Sequence, residues 1–361
     1  MTLLTRIGLG GALLISTFTF GCAPGYSSSA TSLALNNSGS DPGSTATPAP
    51  ADTSLGICSR LDFSDITWPI KLLSNERKAL ALAFNITGSY EGNAGWTNLS
   101  NNFDGQGISL GLNQQNLGQG SLQPLLLDIL KNNLGLAQKT FSTTNLSSMT
   151  KMLNAYAQTN VSSLDFDAGF EISNEELFPH KVHLSPLDIM DANDDSALVT
   201  IRSTKTDASV AWAKANLFLS NGTSFKTEWK NSFVTLAASA PYRSLQVNAA
   251  FTMFSKAIAY FDAFKFRELR SLLLMYDFVV QNGSFSDAHS KQFSDFDKLN
   301  PKASETTRLL KLLAIRVTTV RPEYQNDVIA RKSAIINGTG VVHGTTRNLP
   351  KEYCYKPGEI L

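Results

Sequence analysis

Residues 74–92 read SNERKALALAFNITGSYEG, and residues 104–114 read DGQGISLGLNQ. In the first stretch Leu80, Phe84, Thr87 and Glu91 recur at intervals of four, three and four. That spacing keeps one face of a helix. It predicts a helix over 74–91, with Gly92 as its stop and Glu91 on the side of the apolar stripe. A carboxyl group there sits at the edge of a core or in a cleft, where partial desolvation disfavours its charged form. Such a group suits a general acid. The plain alternative is a solvated glutamate just past a helix end.

The second stretch reads as a hairpin. Asp104-Gly105 is a turn signal, and Ile108, Leu110 and Leu112 alternate with Ser109, Gly111 and Asn113. One face is expected to pack and the other to stay small, polar and open. Ser and Asn on an open face can hydrogen-bond sugar hydroxyls without blocking a groove. Gln114, Gln115, Asn116 and Gln119 continue the amide-rich surface, so Ser109, Gln114, Asn116 and Gln119 are candidate substrate contacts. Asp104 is the candidate second carboxylate, a base that activates water. An inverting sugar hydrolase sets its two carboxyls roughly 6.5–9.5 Å apart. The simpler role of an Asp before Gly is to make the turn. Tyr90 and Trp96 either stack on a sugar ring or pack, and Tyr90 is favoured as a contact because it adjoins Glu91.

The rest of the body reads as mainly α, in the α+β class. Helices are expected at about 121–134, 146–159, 173–178, 206–219, 222–238, 242–261, 265–281, 303–319 and 322–337. Ser121 is the expected N-cap of the first of these, with Pro124 in its first turn and Gly135 as its stop. Leu272 to Val280 is apolar nearly all round, which predicts a central buried helix.

Composition narrows the function. The chain has 361 residues, 42% of them hydrophobic, enough for a large core. Its net charge of +1 gives no support for nucleic acid as a partner, although local charge varies, with Asp188 to Asp195 acidic and Arg331-Lys332 and Arg347 basic. Arg6 and the apolar run Ile7 to Phe20 read as an export signal, and Gly21-Cys22 resembles a bacterial lipobox with Cys22 as the lipidated residue. An ordinary cleavage site is the alternative, and both readings place the protein outside the cytoplasm. Residues 23–54, rich in Ser, Gly, Thr, Ala and Pro, read as a flexible linker. Residues 55–361 then form the catalytic body, expected to be monomeric. Cys58 and Cys354 remain near its two ends, either as a disulfide or as two free thiols. The histidines at 180, 183, 289 and 343 lack zinc spacing, so no metal and no cofactor are expected.

With these residues in view, the chain resembles the lysozyme-superfamily branch that includes the chitosanases. It also resembles the related lysozymes of predatory bacteria that attack deacetylated peptidoglycan. Glu91 matches the Glu that closes the family's first long helix. Asp104-Gly105-Gln106-Gly107-Ile108-Ser109-Leu110-Gly111 matches its D-G-R-G-Y-T-x-G segment, with Gln106 in place of Arg and a shorter gap after Glu91. Leu274 to Gly283 resembles its late aromatic-Asp helix, which makes Tyr276, Asp277 and Gln281 candidate substrate contacts. Arg331-Lys332 through Gly344 looks like the close of the deacetylated-peptidoglycan branch, with a turn that sets His343 near the core. The resemblance implies a lysozyme-like helical fold with a hairpin beside the catalytic helix. It implies cleavage of β-1,4 bonds in peptidoglycan, with Glu91, Asp104 and Asp277 lining an acidic cleft for a cationic, deacetylated strand. A chitosanase acting on glucosamine polymers and a non-catalytic wall-binding lipoprotein are the alternatives.

Overall fold

The central element is the helix Leu269–Asn282 (α8), whose residues from Ser271 to Phe278 are all buried. An element apolar on every side must be wrapped by others. Here it packs against Ser74–Gly88 (α1), Ala240–Ala263 (α7) and Pro322–Asn337 (α11). The computed structural model describes residues 51–52, 55–70, 72–161 and 195–361. The expected signal with Cys22, nearly all of the linker, the helix at 173–178, and His180 and His183 lie outside the described residues.

Among the described residues the protein is mainly helical, with small antiparallel sheets of short strands. The other helices are Gln123–Asn132 (α2), Leu134–Thr140 (α3), Thr143–Val161 (α4), Asp195–Asn216 (α5), Thr227–Ala238 (α6), Asp287–Leu299 (α9), Glu305–Val317 (α10) and Leu349–Tyr353 (α12). The strands are Ala51–Asp52 (β1), Ile57–Cys58 (β2), Leu99–Ser100 (β3), Ser109–Leu110 (β4), Gln115–Asn116 (β5), Thr339–Val342 (β6) and Thr345–Asn348 (β7). They form the sheets β1-β2, β3-β4-β5 and β6-β7. No described helix is long and apolar enough to cross a membrane.

Among the described residues the core is two apolar clusters. One is built on α1, α7, α8, α10 and α11. The other lies among α2, α3, α4, α5 and α6. The β4–β5 hairpin joins them, because Ile108 and Leu110 enter the second while Leu112 enters the first. Cys58 and Cys354 form a disulfide across 296 residues, with Cα atoms 5.1 Å apart.

Several expected boundaries shift for local reasons. The helix expected over 121–134 is two, because the chain breaks at Asn133; Gly135 lies inside α3 and stops nothing. Ser121 is no N-cap, since its hydroxyl accepts the amide of Asn116 instead. The expected start at 222 fails because Phe218 and Phe225 form a bridge and Asn221 closes a turn onto Thr223 and Ser224; α6 begins at Thr227. Residues 265–268 stay out of α8 because Glu305 Oε1 accepts the amides of Arg267 and Glu268.

Where one hairpin was expected there are three strands. Asp104-Gly105 belongs to the β3–β4 connection, and the tight turn at Gly111–Gln114 joins β4 to β5.

Candidate functional site

The helix α1 stops at Gly88, and the next residues tighten into successive turns. Tyr90 N–H donates to Thr87 O at 3.1 Å, and Glu91 N–H to Gly88 O at 3.0 Å. Gly88 is required by close approach: a Cβ there would come within 2.2 Å of Leu112 Cγ. This contact sets the hairpin turn against the last turn of α1. Asn113 Nδ2 donates to Tyr276 Oη at 2.6 Å, and Leu112 N–H donates to Gln246 Oε1 at 2.8 Å. The helix end that leads to Glu91 is thus fixed beside the β4–β5 turn, which α7 and α8 hold in turn.

The Glu91 side chain is 13% exposed, and Arg331 Nη1 donates to its Oε1 at 2.7 Å. Arg331 comes from α11 and is itself buried. Its Nε donates to Asp277 Oδ1 at 2.8 Å, where Thr87 Oγ1 also donates, at 3.0 Å. Lys332 Nζ donates to Asp277 Oδ2 at 2.9 Å and also to Gln281 Oε1. Gln281 Nε2 donates to Asp327 Oδ2 at 2.9 Å, and Asp327 Oδ1 lies 2.6 Å from His343 Nε2. One continuous polar chain therefore runs from Glu91, through a fully buried centre, to the tip of the β6–β7 hairpin.

Charges at that centre are tolerable only because they are paired and hydrogen-bonded. Burial pushes the Asp277 carboxyl up, but Arg331 and Lys332 outweigh it and hold the group below its usual range. Burial pushes the Lys332 ammonium down to about 8, with Asp277 opposing the shift. Tyr90 lies between two guanidinium groups, 4.8 Å from Arg331 and 5.2 Å from Arg347. Burial raises its hydroxyl pKa further above the usual tyrosine value.

Several expected roles change on these contacts. Tyr276 and Asp277 are fully buried and touch no solvent, so neither contacts a substrate directly. Asp277 is neutralised by two cations and adds nothing to an acidic cleft. Tyr90 is 6% exposed and packs between arginines instead of presenting a ring face. The polar face of the hairpin is covered, since Ser109, Asn113 and Asn116 are all buried. Gln114 is tied to Ser100 and to Gly111 O, and Gln281 to Lys332 and Asp327. Gln119 remains exposed, and its amide N–H is accepted by Asn116 Oδ1.

Asp104 is exposed, with one oxygen accepting the Gln106 amide at 3.0 Å in its own turn. His343 is not near the core: its side chain is 53% exposed at the β6–β7 turn. Among the described residues no group of three His, Cys, Asp or Glu side chains is arranged to hold a metal.

Comparisons with family models, curated proteins and solved structures find no match.

Sequence reasoning gave Thr87, Arg331 and Lys332 no part in the site. A signal for the two cations was present. Val328, Arg331, Lys332 and Ile335 share the buried face of α11, and long cations on an apolar stripe imply buried partners. Chemically, the result is a carboxyl group at a partly open helix end, aimed by an arginine that is locked on its far side to a buried aspartate. Such an arrangement fixes the position of the Glu91 carboxyl group, whose charge the guanidinium faces.

Proposed function

We propose that the protein is a glycoside hydrolase of the lysozyme type. It cleaves β-1,4 bonds in peptidoglycan with Glu91 as general acid. The observation that carries this reading is the anchoring of a partly exposed Glu91 by Arg331, which is fixed in turn by Asp277. A merely solvated glutamate needs no buried arginine behind it. Asp104, exposed on the β3–β4 connection, is the proposed base, and its turn contact leaves its second oxygen available to a water. The preference for deacetylated strands rests on the resemblance of the chain to that branch of lysozymes. On this reading Cys22 anchors an exported protein to a membrane.

The test is a turbidity-clearing assay on purified sacculi, native and deacetylated. Glu91→Gln is expected to bind sacculi while losing clearing by at least about 10²-fold. Asp104→Asn, which can still make the turn, is expected to lose a comparable factor. Clearing by Glu91→Gln at the wild-type rate would overturn the reading.

A further inference from the structure

Arg331 holds the Glu91 carboxyl group, and the backbone that carries it is held separately. Glu91 lies between two glycines, three residues after Gly88 and one before Gly92. Both glycines sit against partners that leave no space for a side chain. Gly88 meets Leu112 of the β4–β5 turn. At Gly92 a Cβ would come within 2.8 Å of Asn98 Oδ1 and 3.0 Å of Asn98 Cγ.

Asn98 also closes the loop that follows Glu91. Its Oδ1 accepts the Ala94 amide at 2.8 Å, and its own N–H donates to Gly95 O at 3.2 Å. Its carbonyl oxygen accepts the Gly111 amide at 2.7 Å, where the β4–β5 turn begins. The residue is 6% exposed, so its side chain has little freedom to swing aside. Nδ2 has no partner among the described residues, which leaves Oδ1 as the atom that ties the side chain to the loop. Gln246, fully buried on α7, adds a second tie between the same two segments: its Nε2 donates to Trp96 O at 3.2 Å while its Oε1 accepts the Leu112 amide.

The β4–β5 turn therefore holds the 88–92 backbone at both ends, through Leu112 at Gly88 and through Asn98 at Gly92. A carboxyl group anchored in this way keeps its place relative to Arg331. Misplacement of a reacting group by about 1 Å costs on the order of 10²-fold in rate.

We propose that Asn98 is a positioning residue for Glu91. Wedged against Gly92 and bonded to Gly111, it sets where the backbone of the acid lies. The assignment rests on the hydrolase reading given above, and Asn98 acts through Glu91 without touching the glycan.

The test uses variants of the full chain and two readouts. Rates of reducing-end release are measured over a series of concentrations of deacetylated sacculi. Asn98→Ala is expected to lower kcat about tenfold and to leave KM within about twofold. Gly92→Ala, which pushes the Asn98 side chain off its acceptor position, carries the same expectation. In the double variant kcat should fall no further than in the worse single one, because alanine at 98 leaves room for a Cβ at 92. Ser304→Ala removes the cap that accepts the Thr307 amide at the start of α10, so it lowers stability elsewhere and should keep kcat. The second readout is the carboxyl ¹³C resonance of Glu91, assigned with Glu91→Gln, which reports the surroundings of that group without turnover. It is expected to move in Asn98→Ala and Gly92→Ala and to stay in place in Ser304→Ala. An unmoved resonance in Asn98→Ala and Gly92→Ala, a wild-type kcat in both, or a loss confined to KM overturns the proposal. With the wild type active, such a result removes only the positioning role. A wild-type protein that releases no reducing ends removes the hydrolase reading, and the resonance then decides by itself whether Asn98 sets the place of the Glu91 carboxyl group.

Discussion

Arg331 Nε lies 2.8 Å from Asp277 Oδ1, and the two side chains are 2% and 0% exposed. Asp277 also faces Lys332, so it is the shared counter-charge of two buried cations. Removing one member of such a group leaves charge uncompensated in a poorly solvated place. Asp277→Ala is expected to cost about 3–5 kcal/mol of stability, read from urea denaturation. A loss below about 1 kcal/mol would contradict the buried placement of this group.

Arg331 serves two carboxylates at once, with Nε on Asp277 and Nη1 on Glu91. Lysine keeps the charge but offers a single point donor in place of the planar fork. Arg331→Lys is therefore expected to reduce clearing of sacculi by about 10²-fold through misplacement of Glu91. Substrate binding should weaken far less. A change confined to binding would place Arg331 outside the chemistry.

Two limbs of the pH–stability curve follow from the buried centre. An unfolded lysine holds its proton up to its ordinary value of 10.5, whereas Lys332 in the fold releases it near 8. Between those values the unfolded chain binds more protons, so stability attributable to this residue rises with pH across the window. Lys332→Met should flatten that rise. Asp277 has the opposite profile: its folded value lies below 3.8, so its contribution is present above 3.8 and is lost as the pH falls through the folded value. Denaturation series at stepped pH, wild type against Lys332→Met and Asp277→Asn, check both limbs.

A Cβ at Gly88 would sit 2.2 Å from Leu112 Cγ, 2.8 Å from Cδ1 and 2.8 Å from Cδ2. Leu112, in the β4–β5 turn, is buried against α1, so it has little room to yield. Gly88→Ala is expected to destabilise by about 1–3 kcal/mol and to shift the hairpin away from α1. Adding Leu112→Ala should relieve the clash without restoring full stability, because it leaves a cavity. Thermal denaturation of the two variants separates these effects.

Elements with strong local patterns were legible in the chain. The apolar run of α8 and the boundaries of α11 at Pro322 and Asn337 came through intact. The break between α2 and α3 did not, because nothing in the 121–134 pattern marks Asn133 as a stop. Alternation leaves the polar side of the hairpin looking open, because it tells which residues share a face and not what covers that face. Gln246, supplied by α7, lies 134 residues beyond the Leu112 amide it accepts. Glu91 and Asp277 were visible as candidates, but their link through Arg331 spans 240 and 54 positions, beyond the reach of periodicity. The choice between a disulfide and two free thiols was likewise left to the fold.

That cross-link sets the path taken by mechanical load. Tension carried between the chain upstream of Cys58 and the chain beyond Cys354 passes through the sulfur atoms and bypasses α1. Residues 59–353, Glu91 included, then lie inside a covalently closed loop that a pull between those two ends does not stretch.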